Sequence, residues 1–174
     1  PILLEAIKLL NKRNKDITYV FHSTKEYLSF IQTHISKSEL INCEVICDDR
    51  IKSHILRKSI FAIAKSGTVS LEVCNLKIPS IILYKMNLIN FLIVKMLVKT
   101  KFANIINIAA KKEIIPELLQ GKCNPKNISN KVTYFLDNPE KMEEQINETQ
   151  IILKSFKTNN SSAHQAGLSL NKFL

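Results

Sequence analysis

The chain is predicted to be an α/β domain: a Rossmann-like parallel sheet with helices on both faces. Three observations lead to that class. Short apolar runs recur along the sequence, each is followed by a segment of helical periodicity, and the runs are continuous rather than alternating. Strands that alternate between apolar and polar residues face water on one side; continuous ones are covered on both. At 174 residues and 45% hydrophobic content, the chain can bury a full core.

The elements follow in order. Ile2, Leu3, Ala6, Ile7, Leu9 and Leu10 recur at helical spacing, with Glu5, Lys8 and Lys12 opposite. Ile17 to Phe21 is β-branched and aromatic, hence a strand. Ser23-x-x-Glu26 has the form of a capping box before a second helix carrying Tyr27, Phe30 and Ile31. Glu44 to Cys47 is a brief strand, after which Asp48 or Asp49 caps a helix bearing Ile51, Ile55 and Leu56. Ile60 to Ala64 is the next strand and feeds a helix running through Cys74. Pro79 precedes the apolar strand Ser80 to Tyr84. A helix over Leu88 to Val98, a short strand at Ala103 to Ile106 and a short helix over Pro116 to Gly121 come next. Two amphipathic helices, Ser129 to Leu136 and Pro139 to Phe156, lead to a linker at Thr158 to Ser162 and a last helix, Ala163 to Phe173. The expected division is one Rossmann-like domain over 1–158 and a linker with a terminal helix over 159–174. Pro1 is followed at once by residues that read as the inside of a helix, so further chain is expected upstream.

Ser66-Gly67-Thr68-Val69-Ser70-Leu71-Glu72 stands where a strand becomes a helix, and Gly67 is one of only three glycines. Glycine there lets the backbone approach a ligand, and the free amides of a helix's first turn favour an anion such as phosphate. Glu72, about one turn further on, reaches a neutral polar part of the same ligand. A nucleotide sugar meets both conditions. The bland alternative is a glycine kept for turn geometry alone, and neither a Gly-x-Gly-x-x-Gly nor a Walker lysine motif is present to exclude it.

Lysine and arginine outnumber aspartate and glutamate 25 to 15, a formal net charge of +10, which selects anionic partners. No acidic residue occurs between Glu72 and Glu113, whereas Lys77, Lys85, Lys95, Lys99, Lys101, Lys111 and Lys112 do. Cys43, Cys47, Cys74 and Cys123 form no Cys-x-x-Cys pair and read as reduced, mostly buried residues. His22, His34, His54 and His164 lack metal-ligand spacing, so no metal and no cofactor are expected.

The ordered set Ser66-Gly67-Thr68-x-x-Leu71-Glu72, Ile78-Pro79, Tyr84-Lys85, the lysine-flanked apolar stretch Leu88 to Lys101, Asn107 and Glu113-Ile114-Ile115-Pro116-Glu117-Leu118-Leu119-Gln120 resembles the lipid-A-disaccharide synthases. These are hexosyltransferases of the GT-B kind, with two Rossmann-like domains. The resemblance covers about Ile60 to Cys123 and implies one half of a GT-B glycosyltransferase, the carboxyl-terminal, donor-binding half, with 1–158 as its nucleotide-sugar-binding domain and with an amino-terminal domain and a first strand expected upstream. The whole enzyme then transfers 2,3-diacylglucosamine from UDP-2,3-diacylglucosamine to 2,3-diacylglucosamine 1-phosphate in lipid A biosynthesis, releasing UDP. It further implies that Ser66, Gly67 and Thr68 face the diphosphate and Glu72 the ribose, with Asn107, Glu113 and Gln120 near the donor cleft. Its general base belongs to the amino-terminal domain, so no catalytic residue is assigned here and the chain alone is expected not to turn over. Lys112 stands where the family has arginine, and Asn104 and Ile106 where it has serine and proline.

Departure of UDP leaves negative charge on a diphosphate, which helix-start amides and cations stabilise without a metal. Lys85, Lys111 and Lys112 are the candidate cations, though each is singly consistent with a solvated face. Asp48 and Asp49 point in different directions and read as a cap. The Leu88 to Val98 segment is too short to span a bilayer. With Lys95, Lys99 and Lys101 it reads as a helix lying in an anionic membrane interface, or else as a core helix. The expected location is cytoplasmic, peripheral on the inner face of the inner membrane. Two other readings remain: a transferase moving N-acetylglucosamine from UDP to a lipid carrier in wall synthesis, and a non-enzymatic basic module binding membrane or nucleic acid. The latter lacks an aromatic stacking platform, and no nucleic-acid partner is expected.

Overall fold

Strand Ser80–Tyr84 organises the molecule, because both of its faces and both of its edges are covered. In the computed structural model, which describes residues 1–13, 16–87 and 100–156, the strands are β1 (Tyr19–His22), β2 (Cys43–Ile46), β3 (Ala62–Lys65), β4 (Ser80–Tyr84) and β5 (Glu117–Leu119). The helices are α1 (Ile2–Asn11), α2 (Lys25–Lys37), α3 (Asp49–Lys58), α4 (Thr68–Asn75), α5 (Ile105–Ala110), α6 (Pro125–Asp137) and α7 (Pro139–Phe156), with a 3-10 turn at Gln120–Lys122. β4 lies between β3 and β5, parallel to both, with Ala62 opposite Ser80 and Ile82 opposite Glu117. β1 and β2 form a separate parallel pair, with Tyr19 opposite Cys43. The expected parallel sheet is therefore present as two hydrogen-bonded groups among the described residues.

Successive side chains of a strand point to opposite faces, and β4 uses both. Ile81 and Leu118 join Ala6, Leu10, Ile128, Val132 and Phe135 in a cluster under α1 and α6. Ile82 joins Ala64, Cys74, Ile106, Ile114 and Ile115 on the opposite face. Ile81 and Ile82 are wholly excluded from solvent, and each such side chain contributes about 1.5–3 kcal/mol on burial. Tyr19 of β1 packs against the first cluster alongside Phe61 and Leu83, so the strand pair shares that core with the three-stranded group.

Three local expectations are corrected. Residues 103–106 form no strand: Asn104 caps α5, its Oδ1 accepting from the Ile106 amide at 2.9 Å. The Glu117 carboxylate takes the Ala103 and Asn104 amides at 2.7 and 3.0 Å, which withdraws them from any sheet ladder. Residues 117–119 are strand rather than helix, because they pair with the edge of β4 that β3 leaves, and the Ile82 amide bonds the Pro116 carbonyl. The Ser23–Glu26 capping box is absent. Thr24 is the cap position and makes no side-chain cap bond, while the Ser23 amide donates to Ile46 and prolongs the β1–β2 pairing. Asp48 does cap α3, accepting from the Arg50 and Ile51 amides at 2.7 and 3.2 Å. The expected Leu88–Val98 helix, Lys95, Lys99, the 158–162 linker and the 163–173 helix lie outside the described residues.

Candidate functional site

The carboxyl ends of parallel strands are where ligands bind in wound sheets, and β3 ends at the Ser66-Gly67-Thr68 turn. Gly67 holds φ at +143°, in the region L side chains rarely adopt, and a Cβ placed on it meets nothing within 4 Å. The glycine is thus required by backbone conformation, while the space before the turn stays open. Gly67, Thr68 and Val69 are all exposed. The Ser70 amide and hydroxyl both turn back to the Gly67 carbonyl, at 3.1 and 2.6 Å, which fixes the start of α4. The amides at the mouth of α4 face outward with the helix dipole behind them, an arrangement that attracts anions.

The turn is bolted to the loop before α5. Ser66 Oγ donates to the Ala103 carbonyl at 2.6 Å, and Asn104 Nδ2 donates to Ser70 Oγ at 2.9 Å. Glu117 anchors that loop from β5 through the two amides it accepts and through Asn107 Nδ2 at 2.8 Å. Asn107 is fully buried and spends its amide on the backbone. Its Oδ1 accepts from Ile114 and Ile115 at 2.8 and 2.9 Å, and its Nδ2 also donates to the Ile115 carbonyl at 2.7 Å. Gln120 likewise closes on the backbone of Met86, accepting from its amide at 2.8 Å and donating to its carbonyl at 3.1 Å. Gln120 therefore shapes the loops beyond β4 and β5, and Asn107 the segment that leads into β5.

Glu113 is exposed, and its Oε1 accepts from the Glu117 amide at 3.3 Å. With Glu117, Lys101, Phe102, Leu119, Gly121 and Lys122 it lines a cleft of about 460 Å³ at the end of β5. Of the expected cations, Lys85 is exposed just past β4 and Lys111 is exposed at the left-handed end of α5. Lys112 is tied to Glu148 of α7 at 2.8 Å. Asp49, apart from its capping neighbour, is 3.5 Å from His22 Nε2.

Glu72 carries the feature that sequence reasoning missed. Its Oε2 accepts from Lys52 Nζ at 2.9 Å, and the same ammonium lies 3.7 Å from Asp49 Oδ1. The hydrogen bond to Glu72 holds the Lys52 ammonium above the usual lysine range. The Asp49–Lys52 spacing of three residues on a helix was the available signal for half of this contact; the other half joins separate helices. Burial pushes the Cys74 thiol up to about 11, so it is protonated and unreactive at neutral pH. Among the described residues, no group of three or more His, Cys, Asp or Glu side chains is placed to hold a metal ion. Among them, too, no helix is long and apolar enough to cross a membrane.

Comparison with known proteins bears on the same region. The chain resembles in fold a crystal structure assigned as UDP-N-acetylglucosamine 2-epimerase from Listeria monocytogenes, with a TM-score of 0.57 and 14% identity over 82% of this chain and 33% of that one. It is 33% identical to the lipid-A-disaccharide synthase of Rickettsia prowazekii over 95% of this chain and 44% of the relative. With that of Rickettsia canadensis the identity is 41%, over 91% and 41%. With that of a Sulfurihydrogenibium species it is 32%, over 89% and 42%. The chain thus spans less than half the length of these curated relatives. The sequence profile of one family, Lipid-A-disaccharide synthetase, matches residues 1–169, and the chain belongs to that family.

Proposed function

We propose that this chain is the donor-binding half of a lipid-A-disaccharide synthase, taking UDP-2,3-diacylglucosamine and acting with an amino-terminal domain that supplies the general base and the contacts to 2,3-diacylglucosamine 1-phosphate. The observation that carries the reading is the open, left-handed turn at Gly67 at the end of β3, with outward-facing amides at the start of α4. Ser66, Gly67 and Thr68 receive the diphosphate. As the glycosidic bond to the donor sugar breaks, the leaving UDP gains charge that these amides are aimed to stabilise. Glu72 accepts hydrogen bonds from the ribose hydroxyls. Asn107 and Gln120 serve the site through the loops they hold, and Glu113 offers a carboxylate at the neighbouring cleft. Lys85 and Lys111 remain exposed and available to phosphate or to an anionic surface. The net charge of +10 and the lipid nature of the substrates favour a peripheral position on the cytoplasmic face of the inner membrane.

Titration with UDP, followed by amide NMR, tests the assignment. The largest shifts are expected at Gly67, Thr68 and Val69. Gly67→Ala meets no steric contact but strains the turn, and is expected to weaken UDP binding about tenfold or more while the fold survives. Shifts confined to the other face of the sheet, or unchanged affinity in Gly67→Ala, would overturn the reading. Competition between UDP-N-acetylglucosamine and the acylated donor then decides which sugar the cleft prefers.

A further inference from the structure

We infer that Lys52 is a positioning residue of the donor site, holding the Glu72 carboxylate in the orientation that meets the ribose hydroxyls. The inference rests on the proposed role of Glu72 and extends it to a residue on a different helix. Glu72 lies on α4, in the turn after the Gly67 corner, and Lys52 projects from α3 after the preceding strand. A free glutamate of this length samples many rotamers, and ordering it on binding costs entropy. Here Oε2 is fixed by Lys52 Nζ at 2.9 Å. Among the described residues Oε1 accepts no hydrogen bond. A carboxylate oxygen has two lone pairs, so the fixed oxygen keeps one acceptor position as well. The group is therefore oriented in advance and still able to accept from two adjacent hydroxyls.

Lys52 is itself held. Its side chain is only 18% exposed, unusual for a lysine on a helix with no buried residue, and Asp49 supports it from one turn back. Asp49 also faces His22 at the end of β1. The series His22, Asp49, Lys52, Glu72 thus runs across the carboxyl ends of β1, β2 and β3 towards the Gly67 turn. A plain strut between α3 and α4 would bring the same two atoms together, so the test needs a readout that a strut does not move.

Selectivity for the ribose is that readout. Dissociation constants of UDP and of its 2′,3′-dideoxy analogue are measured for the chain and for Lys52→Met, Lys52→Arg and Glu72→Ala. The unaltered chain is expected to prefer UDP about tenfold or more, as for hydrogen bonds to a charged group. Lys52→Met should reduce that preference to about twofold, leave affinity for the dideoxy analogue unchanged, and be rescued by Lys52→Arg, which restores a charged donor. Preference lost in Glu72→Ala but retained in Lys52→Met would overturn the inference while sparing the role of Glu72. Preference retained in both, or absent from the unaltered chain, would overturn the ribose role of Glu72 and the inference with it. Equal loss of both ligands in Lys52→Met would reduce Lys52 to a strut.

Discussion

The two strand groups are built to different standards. In the β3–β4–β5 group, β4 and β5 are largely buried, and α4, α5, α6 and α7 each bury two or more residues against one face or the other. In the β1–β2 pair no strand residue is buried, α2 buries only Ile35, and α3 buries none. The polar chemistry follows the same division. Asn107 and Glu117 sit inside the first group with every amide matched, whereas His22, Asp49 and Lys52 lie at the wetter edge of the second and reach Glu72 of the first. The better-buried group carries the Gly67 turn, and the wetter pair contributes charges that reach across to it. Sites benefit from a first contact set on a stiff frame, because binding then spends little on ordering.

The sharpest way to break this comparison is to remove one asparagine from each side. Asn107→Ala strands the Ile114 and Ile115 amides and leaves the Glu117 carboxylate short of a donor in a dry interior. A loss of about 3–5 kcal/mol in urea denaturation is expected. Asn42 makes a similar set, bonding Asn11 in both directions at 3.0 Å and the Ile17 carbonyl at 2.7 Å, but is only part-buried. Water replaces what Asn42→Ala removes, and about 1 kcal/mol is expected. Equal losses would mean that the two groups share one level of burial.

Apolar truncations sharpen the contrast next. Ile82→Ala empties a site with no solvent exposure and should cost about 2–5 kcal/mol. Val45→Ala, in a half-buried strand, should cost about 1 kcal/mol in the same denaturation assay.

The last contrast is a pH dependence, largest at Cys74 in the better-buried group. Cys74 has its thiol raised from 9.0 to about 11 by burial. Above pH 9 the unfolded chain releases that proton while the native state keeps it, so the unfolded state binds fewer protons and stability falls as pH rises. The loss develops between pH 9 and about 11 and amounts to about 3 kcal/mol. Thermal melts across that range should show a shallower decline for Cys74→Ala than for the unaltered chain. Parallel slopes would mean that the thiol is accessible.

Much of the tightly packed group was legible in one dimension. Ile81 to Leu83 is a continuous apolar run because both faces of the strand are covered, and Pro79 marks its start. Asp48 was readable as a cap, and Gly67 as a position that only glycine fills easily. The misread segments share a cause. Ala103–Ile106 and Glu117–Leu119 are short enough that propensity decides little, and each takes its form from a distant partner: Glu117 for the loop, the β4 edge for the strand. Asn107 was recognised by its place in an ordered motif, yet its work lies in backbone amides that no spacing reveals.

Residue type and order by themselves determined the fold class, the glycine corner after β3 and the family. These follow from periodicity, from a glycine's freedom and from motif order, which are all properties of the chain as written. Only the tertiary structure decided which polar groups are spent on holding loops and which stay open. It alone placed Lys52 against Glu72, because that pair joins two helices twenty residues apart and depends on how α3 and α4 pack at the ends of β2 and β3. Hydrogen bonding is satisfied in space, and position along the chain does not say where a donor's partner lies.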